Sequence, residues 1–308
     1  MNGRALILST LFLVAAGRPR EPASAAEESG PDAAEVYAAV AGAARDNLLS
    51  PEARTFFTEV ILPELKEGTV TVNAAEEAAL RGSEAAYDYQ EDAVKIRSGA
   101  TLEEEGPLLG FLIHELVHAG QDACRYGQSR RDSERDAYYV QAEFELRQEG
   151  VIFETEEGAI LPAVDISEMD SMRKWVVYRA ALKNAAAGKG GLNRFSDGSG
   201  AEFMEMEVVE AARYFREMAA AARDSAMGQI LTASGLSDMT AKKRRDPDEF
   251  LNKDGLKKAG QAPAPEACKA WTAYFASLAQ EASARNANPA ASSAEKPKSP
   301  AADSPKPK

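Results

Sequence analysis

Apolar positions first recur at helical spacing between residues 31 and 47, where Val36, Val40 and Leu48 stand out of an alanine-rich background. A second helix is predicted from Pro51 to about Lys66, with Gly68 as its stop. The period then switches to two. Val70 and Val72 alternate with Thr69 and Thr71, Tyr87 with Tyr89, and Val94 with Ile96 after a polar turn at Glu91-Asp92. This reads as a small antiparallel sheet containing a hairpin. A long apolar helix follows from near Gly106-Pro107 to about Tyr126, with Glu103, Glu104 and Glu105 near its positive end and Gly127 placed to end it. Leu108, Leu109, Leu112, Leu116 and Val117 make it apolar on most sides, so it belongs in the interior. A polar loop, Gln128 to Arg131, leads to another helix from about Asp132 to Gln148, closed by Gly150.

Beyond this point Val151 to Ile166 is mixed, with Gly158 and Pro162 marking loops or a short hairpin. Helices are predicted over about 168–187, 201–227 and 265–284, and the glycine- and serine-rich stretch from Gly188 to Gly200 reads as a flexible connection. Lys242-Lys243-Arg244-Arg245 reads as a solvated helix end. The expected fold is therefore α+β and mostly helical. Its parts are an export signal over 1–25, a core over 26–155, a helical C-terminal part over 156–285, and a Pro/Lys/Ala tail over 286–308 too poor in apolar residues to fold.

Composition adds a compartment. Arg4, the apolar run Ala5–Ala16 and the Ala23-Ser24-Ala25 site form a secretory signal pattern, so the mature protein is expected in the periplasm or outside the cell without a stable membrane span. The signal holds three arginines and one glutamate, and its removal takes the formal charge from −13 to −15. A chain this acidic repels phosphate backbones, which excludes nucleic acid as the expected partner. The two cysteines, Cys124 and Cys268, would pair as one disulfide in an oxidising compartment or stay as buried thiols.

Both histidines of the chain lie in Ile113-His114-Glu115-Leu116-Val117-His118-Ala119. Four residues apart on a helix, His114 and His118 share a face and can reach one metal ion. Glu115 points to the edge of that face, where a carboxylate can take a proton from water at the metal without occupying a coordination position. At this composition the pattern arises by chance in roughly one such chain in a thousand.

His114-Glu115-x-x-His118 is the zinc-binding motif of the zincin metallopeptidases, and the resemblance is specific over about twelve residues. It implies Zn²⁺, a peptide or protein substrate, Glu115 as general base, and a small sheet before the metal helix whose edge strand pairs with substrate. Ala93–Arg97 would be that strand or its neighbour. Catalytic zinc takes three protein ligands, and a third histidine does not exist here. The chain therefore resembles the gluzincin branch, in which a glutamate on the following helix completes the site. Glu134 is the expected ligand, because it shares a stripe with Ala137, Tyr138, Gln141 and Phe144, and Glu143 is its rival. Tyr138 stands where thermolysin-like enzymes have an aspartate. Tyr138, Tyr139, Tyr178 and Arg179 are candidates for stabilising an oxyanion, and Gln121 and Asp122 for supporting His118 or the edge of the site. The competing expectation is a helical envelope protein that binds metal or a partner on the same scaffold without turnover.

Overall fold

The structure, a computed structural model, describes residues 30–80, 83–102, 107–124, 130–155, 158–186, 193–196, 208–233 and 266–286. The expectations for the export signal, the metal helix's flanks at 103–106 and 125–129, the 242–245 run and the tail lie outside these residues.

Helix α1 (Ala33–Arg45) starts at a capping box, in which the Asp32 carboxylate accepts from the N–H groups of Ala34 and Glu35 while Glu35 accepts from the Asp32 N–H. The predicted second helix is divided into α2 (Pro51–Phe56), a π turn (Phe57–Ile61) and α3 (Leu62–Glu67). At the junction the Leu62 N–H donates to the Phe57 carbonyl five residues back, directly before Pro63, which has no N–H to continue an α-helical ladder. Gly68 ends α3 at φ +72°, a left-handed conformation that glycine adopts without cost.

The first sheet differs from expectation. Strands β1 (Thr71–Ala75), β2 (Ala85–Asp88) and β3 (Ala93–Arg97) form a mixed sheet of order β1-β3-β2, with β1 parallel and β2 antiparallel to β3. A short helix, α4 (Glu77–Leu80), reverses the chain between β1 and β2. The most apolar strand then enters between them: Val94 and Ile96 are completely buried, which places β3 at the centre. Ala93–Arg97 is thus not an edge. The edge strand docked against the metal helix is its neighbour β2.

Helix α5 (Leu108–Ala123) carries the histidine motif through the interior, with Leu112, Ile113, Leu116 and Val117 fully buried. Helix α6 (Arg130–Gln148) returns along it, and Gly150 at φ +70° turns the chain into the hairpin of β4 (Phe153–Thr155) and β5 (Gly158–Asp165). Strand β6 (Asn193–Ser196) joins β5 in parallel, so part of the stretch expected to be a flexible connection is a strand of a second three-stranded sheet. Helices α7 (Ser171–Ala186) and α8 (Val208–Ala233) pack along one another. Helix α9 (Glu266–Asn286) crosses back to the N-terminal part through Ala267, Cys268, Trp271, Tyr274 and Phe275, a buried stripe at helical spacing. Trp271 stacks on Phe56 at 3.9 Å, and Cys124 is disulfide-bonded to Cys268. That bridge ties the end of α5 to α9. No helix among the described residues is long and apolar enough to cross a membrane.

Candidate metal centre

The four-residue spacing on α5 brings the Nε2 atoms of His114 and His118 to 3.2 Å. Helix α6 runs antiparallel beside α5 and presents Glu134 from its first turns, with Oε2 at 3.6 Å from His114 Nε2 and 3.7 Å from His118 Nε2. All three side chains are largely withdrawn from solvent, and their donor atoms lie within 4.8 Å of one another. Ligand bonds of about 2.0–2.1 Å at tetrahedral angles would separate ligand atoms by about 3.3–3.4 Å, so the trio fits a small divalent cation with only slight contraction.

The tautomers fit as well. Gln141 donates through Nε2 to Glu145 Oε1 at 2.8 Å, which leaves its Oε1 facing His114 Nδ1 at 3.1 Å. Gln121 donates through Nε2 to the Ser133 carbonyl at 3.2 Å, and its Oε1 faces His118 Nδ1 at 3.0 Å, with Ser133 Oγ at 3.1 Å from the same nitrogen. Carboxylate and carbonyl oxygens accept, which orients each amide with its oxygen toward the ring and favours the Nδ1-protonated tautomer of each imidazole. Both Nε2 lone pairs are thereby turned to the shared point.

Burial acts to lower the pKa of His118, but the hydrogen bond and charge of Glu134, with the charge of Glu115 behind them, outweigh it and push His118 up to about 9. Burial acts to raise Glu134, and the two imidazoles overcome this and hold it well below the ordinary carboxylate range. A metal-free centre therefore holds a proton where a cation fits.

Glu115 projects from α5 toward β2, and its Oε2 accepts from the Tyr87 N–H at 2.7 Å. Tyr87 holds the same helix a second time, donating its hydroxyl to Asp122 Oδ2 at 3.2 Å. Asp122 thus braces β2 at the edge of the site. Tyr138 lies edge-on to the His114 ring, with centroids 4.3 Å apart, and burial together with the charges of Glu134 and Glu115 keeps its hydroxyl protonated. On the other flank the Tyr89 ring lies 6.2 Å from that of His118. The Tyr89 residue is 37 % exposed, but its hydroxyl turns inward to Ser133 and is also held protonated, by burial and by the surrounding carboxylates.

Other sequence candidates stand elsewhere. Glu143 lies on a different face of α6, where its Oε1 is 3.4 Å from Arg147 Nη2. Arg179 donates to the Tyr139 hydroxyl at 2.9 Å, and Tyr139 packs on Trp175, so this pair and Tyr178 belong to the core between α6 and α7. Sequence reasoning missed the Tyr87 amide, Tyr89, Ser133 and the place of Glu145, one of the carboxylates this helix supplies, behind His114. Glu145 had a visible signal, since Glu134, Tyr138, Gln141 and Glu145 continue one stripe of α6.

Comparison of the chain with known protein families, with curated proteins and with solved structures gives no match.

Proposed function

We propose that this chain is an exported, zinc-dependent peptidase of the zincin type that hydrolyses peptide bonds by activating water, with His114, His118 and Glu134 as metal ligands and Glu115 as general base. The observation that carries the reading is the convergence of two imidazoles, each backed at Nδ1 by an amide oxygen, and one carboxylate, with a second carboxylate in the same turn of α5. When bound, the cation supplies Lewis acidity and brings the pKa of water toward neutrality.

The protein's own groups do the rest. The Tyr87 amide holds Glu115 through Oε2, leaving Oε1 to accept a proton and deliver it to the leaving amine. Tyr138, kept protonated beside His114, is the donor assigned to charge developing on the scissile carbonyl. On the outward edge of β2 the Tyr87 N–H is held by Glu115 and the Ala85 carbonyl by Ser83 Oγ, so an extended peptide would pair with the groups that remain.

The test is metal content and hydrolysis of unfolded casein by the purified chain, with and without a chelator. One zinc per chain and chelator-sensitive cleavage are expected. Glu115→Gln should keep the metal and lose about 10²–10⁴-fold in rate. Full activity in that variant removes the proposed base, and stable zinc binding without cleavage by the unaltered chain replaces the peptidase with a non-catalytic metal protein.

A further inference from the structure

We infer that Gln141 and Glu145 form a positioning relay, seated on Gly110, that dictates which nitrogen of His114 faces the centre; its effect on metal affinity rests on the metal-site reading above.

An amide can present either end to an imidazole. Alone, Gln141 could offer its N–H to His114 Nδ1, which would force the ring proton onto Nε2, the nitrogen needed by a cation. Glu145 removes that choice. Its Oε1 accepts from Gln141 Nε2 at 2.8 Å, so only Oε1 of Gln141 is left for His114, 3.1 Å away.

The placement of Glu145 is costly in isolation, since burial raises its pKa, opposed by the Gln141 N–H and the charge of Arg173. Its seat is built by a second residue. A Cβ on Gly110, one turn before His114, would stand 2.8 Å from Glu145 Oε1 and 3.4 Å from its Cγ. The absence of a side chain there lets the carboxylate lie against α5. The antiparallel helices thus match Gly110 with Glu145 and His114 with Gln141. His118 has its own partners, Gln121 and Ser133, and serves as an internal control.

The experiment uses the full chain labelled with ¹⁵N-histidine; with only two histidines, each ring is resolved in a long-range ¹H–¹⁵N spectrum. Zinc affinity is measured in parallel by chelator competition. The unaltered protein should show His114 protonated on Nδ1. Glu145→Met should move a substantial fraction of His114, and none of His118, to the Nε2-protonated form and weaken zinc by about 10–100-fold. Glu145→Gln, whose amide can again present either end to Gln141, should shift His114 part of the way. Gln141→Met carries the same expectation as Glu145→Met should the latter not fold, and the exchanged pair Gln141→Glu/Glu145→Gln should restore both readouts. An unchanged His114 tautomer and unchanged affinity in the methionine variants overturn the relay while leaving the metal site standing. The expected tautomer shift in a protein that takes no zinc supports the relay and overturns the metal site.

Discussion

Gly120 offers the sharpest test of how the metal helix is seated. It lies on α5 two residues beyond His118 and directly before Gln121, and a Cβ there would stand 2.1 Å from Phe56 Cζ, 2.5 Å from Phe56 Cε1 and 2.7 Å from Ile61 Cδ1. Relief to an ordinary contact of 3.4 Å requires a shift of about 1.3 Å. Phe56 cannot supply it cheaply, because its ring stacks on Trp271 at 3.9 Å and meets Phe57 edge-on at 6.0 Å. Overpacking of this kind costs about 1–3 kcal/mol, and two partners must move here, which points to the upper end. The better helix propensity of alanine returns about 1 kcal/mol. Gly120→Ala should therefore destabilise by about 2 kcal/mol net, roughly 30-fold in the folding equilibrium, and lower the Tm by about 4–8 °C. Urea unfolding with the disulfide intact measures it, and zinc affinity should fall with it because Gln121 is displaced. A variant as stable as the unaltered protein, or more so, would mean that propensity wins and that α5 does not rest on Phe56.

Glu134→Gln should weaken zinc by more than about 100-fold while Glu143→Gln leaves affinity within a few-fold, as read by chelator competition; equal losses would remove the assignment of the third ligand. Reduction of Cys124–Cys268, whose sequence separation is 144 residues, should cost about 5 kcal/mol by loop-closure entropy, measured by urea unfolding with and without a reductant at fixed pH. In the metal-free protein the raised pKa of His118 contributes stability that is complete below about 6.5 and is lost as pH rises through about 9. The lowered pKa of Glu134 contributes stability present above the ordinary glutamate value of 4.5 and lost as pH falls, so thermal stability without metal should peak between about 4.5 and 6.5. Zinc must displace one proton, so its affinity should rise by about tenfold per pH unit up to about 9, and a pH-independent affinity would contradict a protonated His118.

Local signals in the chain carry the helices and the chemistry well, because they depend on residues close in sequence. The buried α5, the Gly68 stop and the His114–His118 pair each follow from period and spacing. Pairing between distant segments does not. Nothing in the alternation of Val70, Val72, Val94 and Ile96 states whether β1 runs with or against β3, and only the insertion of the more buried strand between β1 and β2 decides it. Likewise, Asn193–Ser196 lies in a glycine-rich stretch and becomes a strand through its neighbour β5. Glu134 and Glu143 carry the same chemistry in sequence, and the rotation of α6 against α5 separates them: one reaches the imidazoles while the other meets Arg147.

That rotation also settles a question of charge. Two imidazoles and two carboxylates, Glu134 and Glu115, meet where α5, α6 and β2 converge. A single proton on His118 is the positive charge the imidazoles set against these carboxylates, in a site largely removed from water. A divalent cation in place of the proton balances both carboxylates and satisfies both Nε2 lone pairs at once. The neutral amides behind the histidines, Gln141 and Gln121, orient the rings without adding charge of their own. A further carboxylate, Glu145, is kept an amide's length from His114 and within the field of Arg173.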